Sequence, residues 1–373
     1  ILSWLSKATL DIIGLAGKST LTFLYPGFNY HFNSLSSENS ELGAAFSVIF
    51  QSGMRMNFIR MLQTFIPAFQ FIPTKLDSSM KASQATMMKI GRQLLQASKN
   101  EMAENGTFEK GRSRDLLSLL VRANTAKDIA ATQSLSDEDV LAQVPTFLVA
   151  GHETTSTGTT WALFALTQNI AAQTRLWEEL LTVSTDNPTM DELNALPYLD
   201  CVVRETLRIH APIPSTIREA TQDDVVPLAA PYTDLNGTVH ETLRVKKGQT
   251  MFVMIPILAM NRDRAIWGPD AMEFMLTRIS KRWESQSISN SIPGVWGHML
   301  TFLGGPRACI GYRFSLVEMK VLLFTLVRAF EFELAIPVSD LGKKSSVVQR
   351  PIIRSQPEAG NQMPLLIKPY VRS

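Results

Sequence analysis

The sequence predicts a mainly α-helical protein with a small β region, and three observations support this fold class. Apolar residues recur at helical spacing over long stretches, above all in residues 136–169 and 312–330. Between these stretches, residues 221–255 carry β-branched residues and glycine-containing turns that are typical of strands. No linker or change in composition divides residues 1–373, so we expect a single domain.

Composition excludes several classes of protein. The net charge of +2, without a basic stripe or a block of like charges, argues against nucleic acid as a partner. The longest apolar runs are too short to span a bilayer. Two cysteines, Cys201 and Cys309, in 373 residues do not form a disulfide framework and fit a reducing compartment.

The first part of the chain reads as helices. Residues 1–14 resemble the middle of a helix, because no capping residue precedes their apolar pattern. Further helices are expected around Phe46–Ile66, Met87–Leu95 and Asp115–Arg122.

The longest predicted helix begins after Ser136, which we expect to be its N-cap, with acidic residues in its first turn. Its centre, residues 149–158, contains two glycines and four hydroxyl residues, which are poor choices for a helix interior. A local rule broken inside an element indicates a functional site. The alternative is a Ser/Thr-rich face that packs against a neighbouring helix.

A shorter helix carries Glu205 and Arg208 at i and i+3, where a carboxylate and a guanidinium share one face and can pair. Such pairs are common, so this pattern alone is weak evidence of function. After it we expect strands at Thr221–Leu228, Thr238–Val245 and Thr250–Ile255, with turns at residues 236–237 and 247–248.

A cysteine then lies between a glycine-rich loop and a long apolar helix, in residues 302–311. Glycines permit backbone conformations that a Cβ would block. Because a helix N-terminus favours thiolate over thiol, we expect the Cys309 pKa to be lowered. Haem iron is one partner for such a thiolate, and an ordinary core cysteine is the alternative.

This stretch resembles the signature of the cytochrome P450 family of haem-thiolate monooxygenases, Phe-x-x-Gly-x-Arg-x-Cys-x-Gly. All of its fixed positions are filled, by Phe302, Gly305, Arg307, Cys309 and Gly311. The resemblance, to microsomal and fungal-type members in particular, implies the cytochrome P450 fold with haem b as cofactor. It also implies that Cys309 binds the iron as its axial ligand, that Arg307 meets a haem propionate, and that Phe302 shields the sulfur.

A second segment is similar to the oxygen-activating motif of the same family, [Ala/Gly]-Gly-x-[Asp/Glu]-Thr-[Thr/Ser]. It runs from Ala150 to Thr155. The resemblance implies that Ala150 leaves room over the iron, and that Glu153 and Thr154 pass protons to dioxygen.

The resemblance assigns further residues. Glu205 and Arg208 would join a second arginine, either Arg278 or the favoured Arg282, in a brace behind the cysteine. Arg218 would meet the second propionate. The substrate pocket would be bordered by Ile213, Ser215 and Thr216.

The implied activity is insertion of one oxygen atom from O2 into a small organic substrate. Electrons would come from NADPH through a cytochrome P450 reductase. Alternatives are a non-catalytic or haem-deficient fragment of such an enzyme, and a relative that rearranges hydroperoxides.

We also expect the N-terminal portion of the family's fold to be missing, because the Trp-x-x-x-Arg motif is absent at Trp4 and Ala8. Residues Lys18–Pro26 read as an insertion relative to the family. A full-length relative would lie on the cytosolic face of the endoplasmic reticulum membrane, attached only through the missing segment.

Overall fold

A computed structural model describes residues 1–15, 31–36, 75–104, 135–248, 253–276 and 292–370. The helices expected at Phe46–Ile66 and Asp115–Arg122 lie outside these residues. So do the insertion at Lys18–Pro26 and both candidate brace arginines, Arg278 and Arg282.

The longer helices follow the apolar periodicity of the sequence, and the predicted mainly helical architecture is confirmed. They are α1 (Leu2–Leu15), α2 (Lys75–Glu104), α3 (Asp137–Thr167), α4 (Ile170–Leu181), α5 (Met190–Asn194), α6 (Pro197–Ile209), α7 (Ile257–Met260), α8 (Arg264–Trp267) and α9 (Tyr312–Ala329). None of the helices in these ranges is long and apolar enough to cross a bilayer.

The strands form antiparallel pairs. Their bounds are β1 (Thr216–Arg218), β2 (Asp224–Thr233), β3 (Val239–Val245), β4 (Val253–Ile255), β5 (Phe330–Leu334), β6 (Leu341–Lys344), β7 (Arg350–Ile353) and β8 (Leu365–Pro369). The pairs are β1 with β4, β2 with β3, β5 with β8, and β6 with β7. The sequence predicted β2, β3 and β4, but it missed the pairs that follow α9, because these strands are short and lack a clear alternation.

Helix α3 is the central element, since it contacts α1, α2, α4, α6, α9 and β5. The predicted N-cap is confirmed: the Ser136 side chain accepts from the Asp139 N–H, and the Asp139 carboxylate accepts from the Ser136 N–H. This capping box satisfies amides that would otherwise be unpaired at the start of the helix. Helix α1 packs so closely on α3 that a Cβ at Gly151 would lie 2.2 Å from the Ile13 Cδ1 atom.

The main core lies where α3, α4, α6 and α9 meet, and buried leucine and valine side chains fill most of it. A second cluster joins α1 and α2 to the N-terminal half of α3, through Leu10, Leu94, Val144 and Leu148 among others. Helix α3 therefore has one half in each cluster, which fixes its centre relative to α9.

One buried side chain ties the C-terminal strands to this core. The Gln173 amide on α4 donates to the Phe332 carbonyl at 3.0 Å, and its oxygen accepts from the Phe332 N–H at 2.7 Å. Both residues are buried, so Gln173 supplies the partners that β5 lacks on the side away from β8.

Replacing this glutamine tests that link. We expect Gln173→Leu to lower the free energy of unfolding by about 1–3 kcal/mol for each Phe332 group left unpaired. The measurement is chemical or thermal unfolding followed by circular dichroism. As the control, Gln168→Leu removes an exposed amide from the end of α3 and should change stability by less than about 0.5 kcal/mol. Equal effects of the two substitutions would contradict the assigned role.

Candidate functional site

An open cavity of about 190 Å³ lies between α3, α6 and α9 and the loop before α9. Six of the residues predicted for the site line it: Thr154, Ile213, Thr216, Phe302, Arg307 and Cys309. The remaining lining is mostly apolar and includes Leu207, Pro212, Ile257, Leu303 and Met319. Two motifs far apart in the sequence therefore face one space.

Other predicted residues lie near the cavity but do not line it. On α3 these are Ala150 and Glu153, and on or near β1 they are Ser215 and Arg218. Gly305 and Gly311 belong to the loop of residues 302–311, which we call the cysteine loop. The two glycines are predicted to shape the backbone of the loop, whereas the other four residues are predicted to act at the ligand.

Backbone hydrogen bonds close the cysteine loop. The Cys309 N–H donates to the Phe302 carbonyl at 2.9 Å, and the Val295 N–H donates to the Leu303 carbonyl at 2.9 Å. A Cβ at Gly304 would lie 1.7 Å from the Pro293 carbonyl oxygen, so only glycine fits at this position.

Two positions in this loop have positive φ angles. Gly305 has φ +68°, which glycine adopts without strain. Leu303 has φ 58° and ψ −170°, a conformation that costs a residue with a side chain about 1–3 kcal/mol. The surrounding structure must therefore hold the loop in place.

The Cys309 thiol lines the cavity and is accessible from it. Burial among neighbouring atoms raises the pKa of the thiol, and the Gly311 N–H lowers it in part. The prediction of a lowered Cys309 pKa is wrong for the chain alone, because desolvation outweighs the amide at the start of α9.

The two arginines predicted to meet carboxylates differ in their surroundings. Arg307 lines the cavity, and its guanidinium has no hydrogen-bond or ion-pair partner among the residues that the structure describes. Arg218 instead donates to the Thr216 hydroxyl at 3.1 Å and to the Ile217 carbonyl at 2.9 Å. Arg307 is thus the guanidinium at the cavity wall that is available to an anionic group.

Phe302 packs in an aromatic group next to the cysteine. Its ring lies 5.7 Å from the Trp296 ring, edge to face, and 6.0 Å from the Tyr312 ring. These contacts keep Phe302 against the cavity and place apolar surface around the loop.

On α3, Glu153 and Thr154, the two residues predicted to pass protons, have different surroundings. The Thr154 hydroxyl donates to the Ala150 carbonyl at 2.7 Å and faces the cavity. The Glu153 carboxylate instead accepts from the Arg350 Nε atom on β7 at 2.5 Å, in a mostly buried ion pair. Burial lowers the pKa of the neighbouring His152, which favours the neutral imidazole beside this pair.

The hydroxyls of Ser156, and of Thr159 and Thr160 just after this segment, bond to the helix itself, whereas those of Thr155 and Thr157 are buried and do not. Ser156, Thr159 and Thr160 are buried and donate to carbonyls three or four residues earlier. The alternative interpretation, a Ser/Thr-rich face buried against neighbours, therefore explains these three residues, whereas Thr154 and Thr155 line the cavity.

The predicted Glu205–Arg208 pair forms and is fully buried. Arg208 donates to both Glu205 oxygens, at 2.8 and 2.7 Å. Its remaining N–H groups reach the carbonyls of Asn261 (2.9 Å), Ala271 (2.6 Å) and Glu273 (3.0 Å). A guanidinium without water needs this many partners, so the pair fixes the segment of residues 261–273.

A buried acid that the sequence did not predict lies behind the cavity. Glu318 on α9 is 4% exposed, and neither carboxyl oxygen has a hydrogen-bond partner among the described residues. Burial raises its pKa well above the usual range, and the nearby Thr155 hydroxyl lowers it in part. The signal in the sequence was a carboxylate inside an apolar helix, between Val317 and Met319.

Comparisons with known proteins found relatives along most of the chain. Residues 4–352 match the family described as Cytochrome P450. The chain is 52% identical to cytochrome P450 monooxygenase 205 of Postia placenta, over 99% of this chain and 67% of that protein. It is 51% identical to cytochrome P450 monooxygenase 128 of the same organism, over 100% and 67%.

A more distant relative is cytochrome P450 monooxygenase claU of Ampulloclitocybe clavipes. It is 33% identical over 98% of this chain and 65% of its own length. The chain thus spans about two thirds of the length of these relatives.

The raised pKa of Glu318 predicts a pH dependence of stability. The folded chain keeps a proton that the unfolded chain releases above its lower pKa, so Glu318 destabilises the fold increasingly as the pH rises through this window. We expect the melting temperature of Glu318→Gln to rise relative to that of the unsubstituted chain as the pH rises above the ordinary pKa of a glutamate. Thermal unfolding at several pH values measures this difference.

Glu192 provides a control of opposite sign. Hydrogen bonds from Thr189 lower its pKa, so its contribution is present at neutral pH and is lost as the pH falls. Glu192→Gln should therefore lose stability relative to the unsubstituted chain as the pH rises. A difference for Glu318→Gln that does not change with pH would contradict the buried neutral acid.

Proposed function

The chain belongs to the cytochrome P450 family of haem-thiolate monooxygenases, and we propose that Cys309 is the ligand of its haem iron. One observation carries this proposal: the cysteine loop and the Thr154 turn of α3 line the same cavity. The family uses haem, a small-molecule substrate, O2 and a redox partner.

The residues at the cavity fit haem b. A thiol accessible from the cavity is a suitable iron ligand once it loses its proton. The apolar lining suits a flat macrocycle, and the Arg307 guanidinium at the wall suits a carboxylate such as a propionate. Arg218 would serve the second propionate if it exchanged its present partners Thr216 and Ile217 for the carboxylate.

When bound, the haem supplies the activation of O2, from which one oxygen atom enters the substrate and the other leaves as water with two electrons and two protons. The chain supplies the other requirements. Cys309 would provide its sulfur as thiolate, and Phe302 and its aromatic neighbours would place apolar surface beside it.

Protons would pass through Thr154, whose Oγ1 atom holds a proton at the cavity wall. Glu153 would supply that proton only after its carboxylate leaves Arg350, because an ionised carboxylate in an ion pair accepts hydrogen bonds and does not donate them. We therefore assign Thr154 the direct role and Glu153 a role upstream of it.

Substrate and partners follow from the same site. Ile213, Thr216 and Ile257 line the cavity, which favours an organic substrate with an apolar surface. Electrons would come from NADPH through a cytochrome P450 reductase that docks near Cys309. For a full-length relative we propose the cytosolic face of the endoplasmic reticulum membrane.

Substituting the cysteines tests the proposal. The chain is reconstituted with haem and reduced under carbon monoxide, which gives a red-shifted Soret band when the ligand is a thiolate. Cys309→Ser should remove this band, because an alcohol is far less acidic than a thiol. Cys201→Ser, as the matched control at the other cysteine, should keep it. The proposal fails if the unsubstituted chain lacks the band or if Cys309→Ser retains it.

A further inference from the structure

Asn261 is a fully buried residue whose polar groups all have partners. Its side-chain oxygen accepts from the Leu300 N–H at 2.9 Å, and its side-chain amide donates to the Thr301 hydroxyl at 2.8 Å. Its carbonyl accepts from Arg208, and its N–H donates to the Ile257 carbonyl at 2.9 Å. The residue therefore connects the buried ion pair to the segment that leads into the cysteine loop.

Thr301 continues this connection. Its hydroxyl donates to the Leu207 carbonyl on α6 at 2.8 Å while it accepts from Asn261. The next residue is Phe302, whose carbonyl accepts from the Cys309 N–H. Hydrogen bonds thus link Arg208, Asn261 and Thr301, and the peptide bond to Phe302 connects Thr301 to the residue that holds the Cys309 N–H.

These partners require one side-chain atom of residue 261 to accept a hydrogen bond and the other to donate one. The Leu300 N–H can only donate, so it needs an oxygen opposite it. The Thr301 proton is used by Leu207, so the hydroxyl needs a donor opposite it. One amide supplies both groups, whereas a carboxylate at this position would supply two acceptors.

The cysteine loop needs support from outside itself. Leu303 holds a strained backbone conformation, and such conformations persist only where the surrounding structure fixes them. The Asn261 side chain forms hydrogen bonds with Leu300 and Thr301, the two residues directly before Phe302. Among the described residues, no other side chain forms a hydrogen bond with Leu300 or Thr301.

We propose that Asn261 and Thr301 are positioning residues that hold the cysteine loop and thereby set the place of the Cys309 sulfur at the haem. The part of this proposal that concerns the haem rests on the proposed function. The loop-holding part concerns the chain alone and can be measured without haem.

The first experiment measures hydrogen exchange of the peptide that contains the Cys309 amide, in the chain of residues 1–373 without haem. Asn261→Asp removes the donor to Thr301, and Thr301→Val removes the hydroxyl. Each should speed exchange of the Cys309 amide about tenfold, since about 1.4 kcal/mol corresponds to a factor of ten. Thr301→Ser keeps the hydroxyl and should exchange at the rate of the unsubstituted chain.

A matched control separates loop support from general stability. Gln173→Leu also removes a buried amide that bonds to backbone groups, but at the distant strand β5. It should leave the exchange of the Cys309 amide unchanged under conditions where the protein stays folded. Equal exchange in Asn261→Asp and the unsubstituted chain, or equal acceleration by Gln173→Leu, would overturn the proposal.

The second experiment follows the carbon monoxide difference spectrum of the haem-loaded chains during mild denaturation. We expect the thiolate-type band to be lost about tenfold faster in Asn261→Asp and Thr301→Val than in Thr301→Ser. If exchange is faster in the variants but the unsubstituted chain shows no thiolate-type band, the proposed function fails and the loop-holding role stands. If the band persists equally in all variants, the role at the haem is overturned.

Discussion

The structure around the site depends on the positive charge of Arg208, which is buried away from water. Arg208 is fully buried, and its guanidinium must find all of its partners inside the protein. Glu205 neutralises the charge, and three backbone carbonyls take the remaining N–H groups. Any displacement of residues 261–273 would remove a carbonyl from Arg208 and leave a buried donor unpaired. Because charges removed from water carry a large desolvation cost, such a displacement is unfavourable. The segment next to the cysteine loop is therefore fixed by electrostatics as well as by packing.

Local patterns were sufficient for the parts of the site that lie within one element. The N-cap at Ser136 and the pairing of Glu205 with Arg208 depend on spacings of three residues, which a helix sets by itself. Two glycines of the cysteine loop are needed for backbone reasons, since Gly304 has no room for a Cβ and Gly305 has a positive φ angle. Periodicity alone could not show that the cysteine loop and α3 form one site; the resemblance to the family predicted it.

Contacts between distant segments could not be predicted. Arg350 lies far along the chain from Glu153, so nothing near the α3 motif showed that its carboxylate is paired. The raised pKa of the Cys309 thiol comes from the atoms packed around it, which sequence position does not give. The strands after α9 were missed because each is four or five residues long and obtains its partners from tertiary contacts.

The ion pair between α3 and β7 has a consequence for biosynthesis. The ribosome delivers the chain from its N-terminus, so α3 emerges long before position 350. Until then the carboxylate at position 153 has no Arg350 to accept from, and burying it would be costly. We therefore expect the centre of α3 to stay hydrated until Arg350 has been synthesised. Final closure of this part of the core would then follow the synthesis of β7.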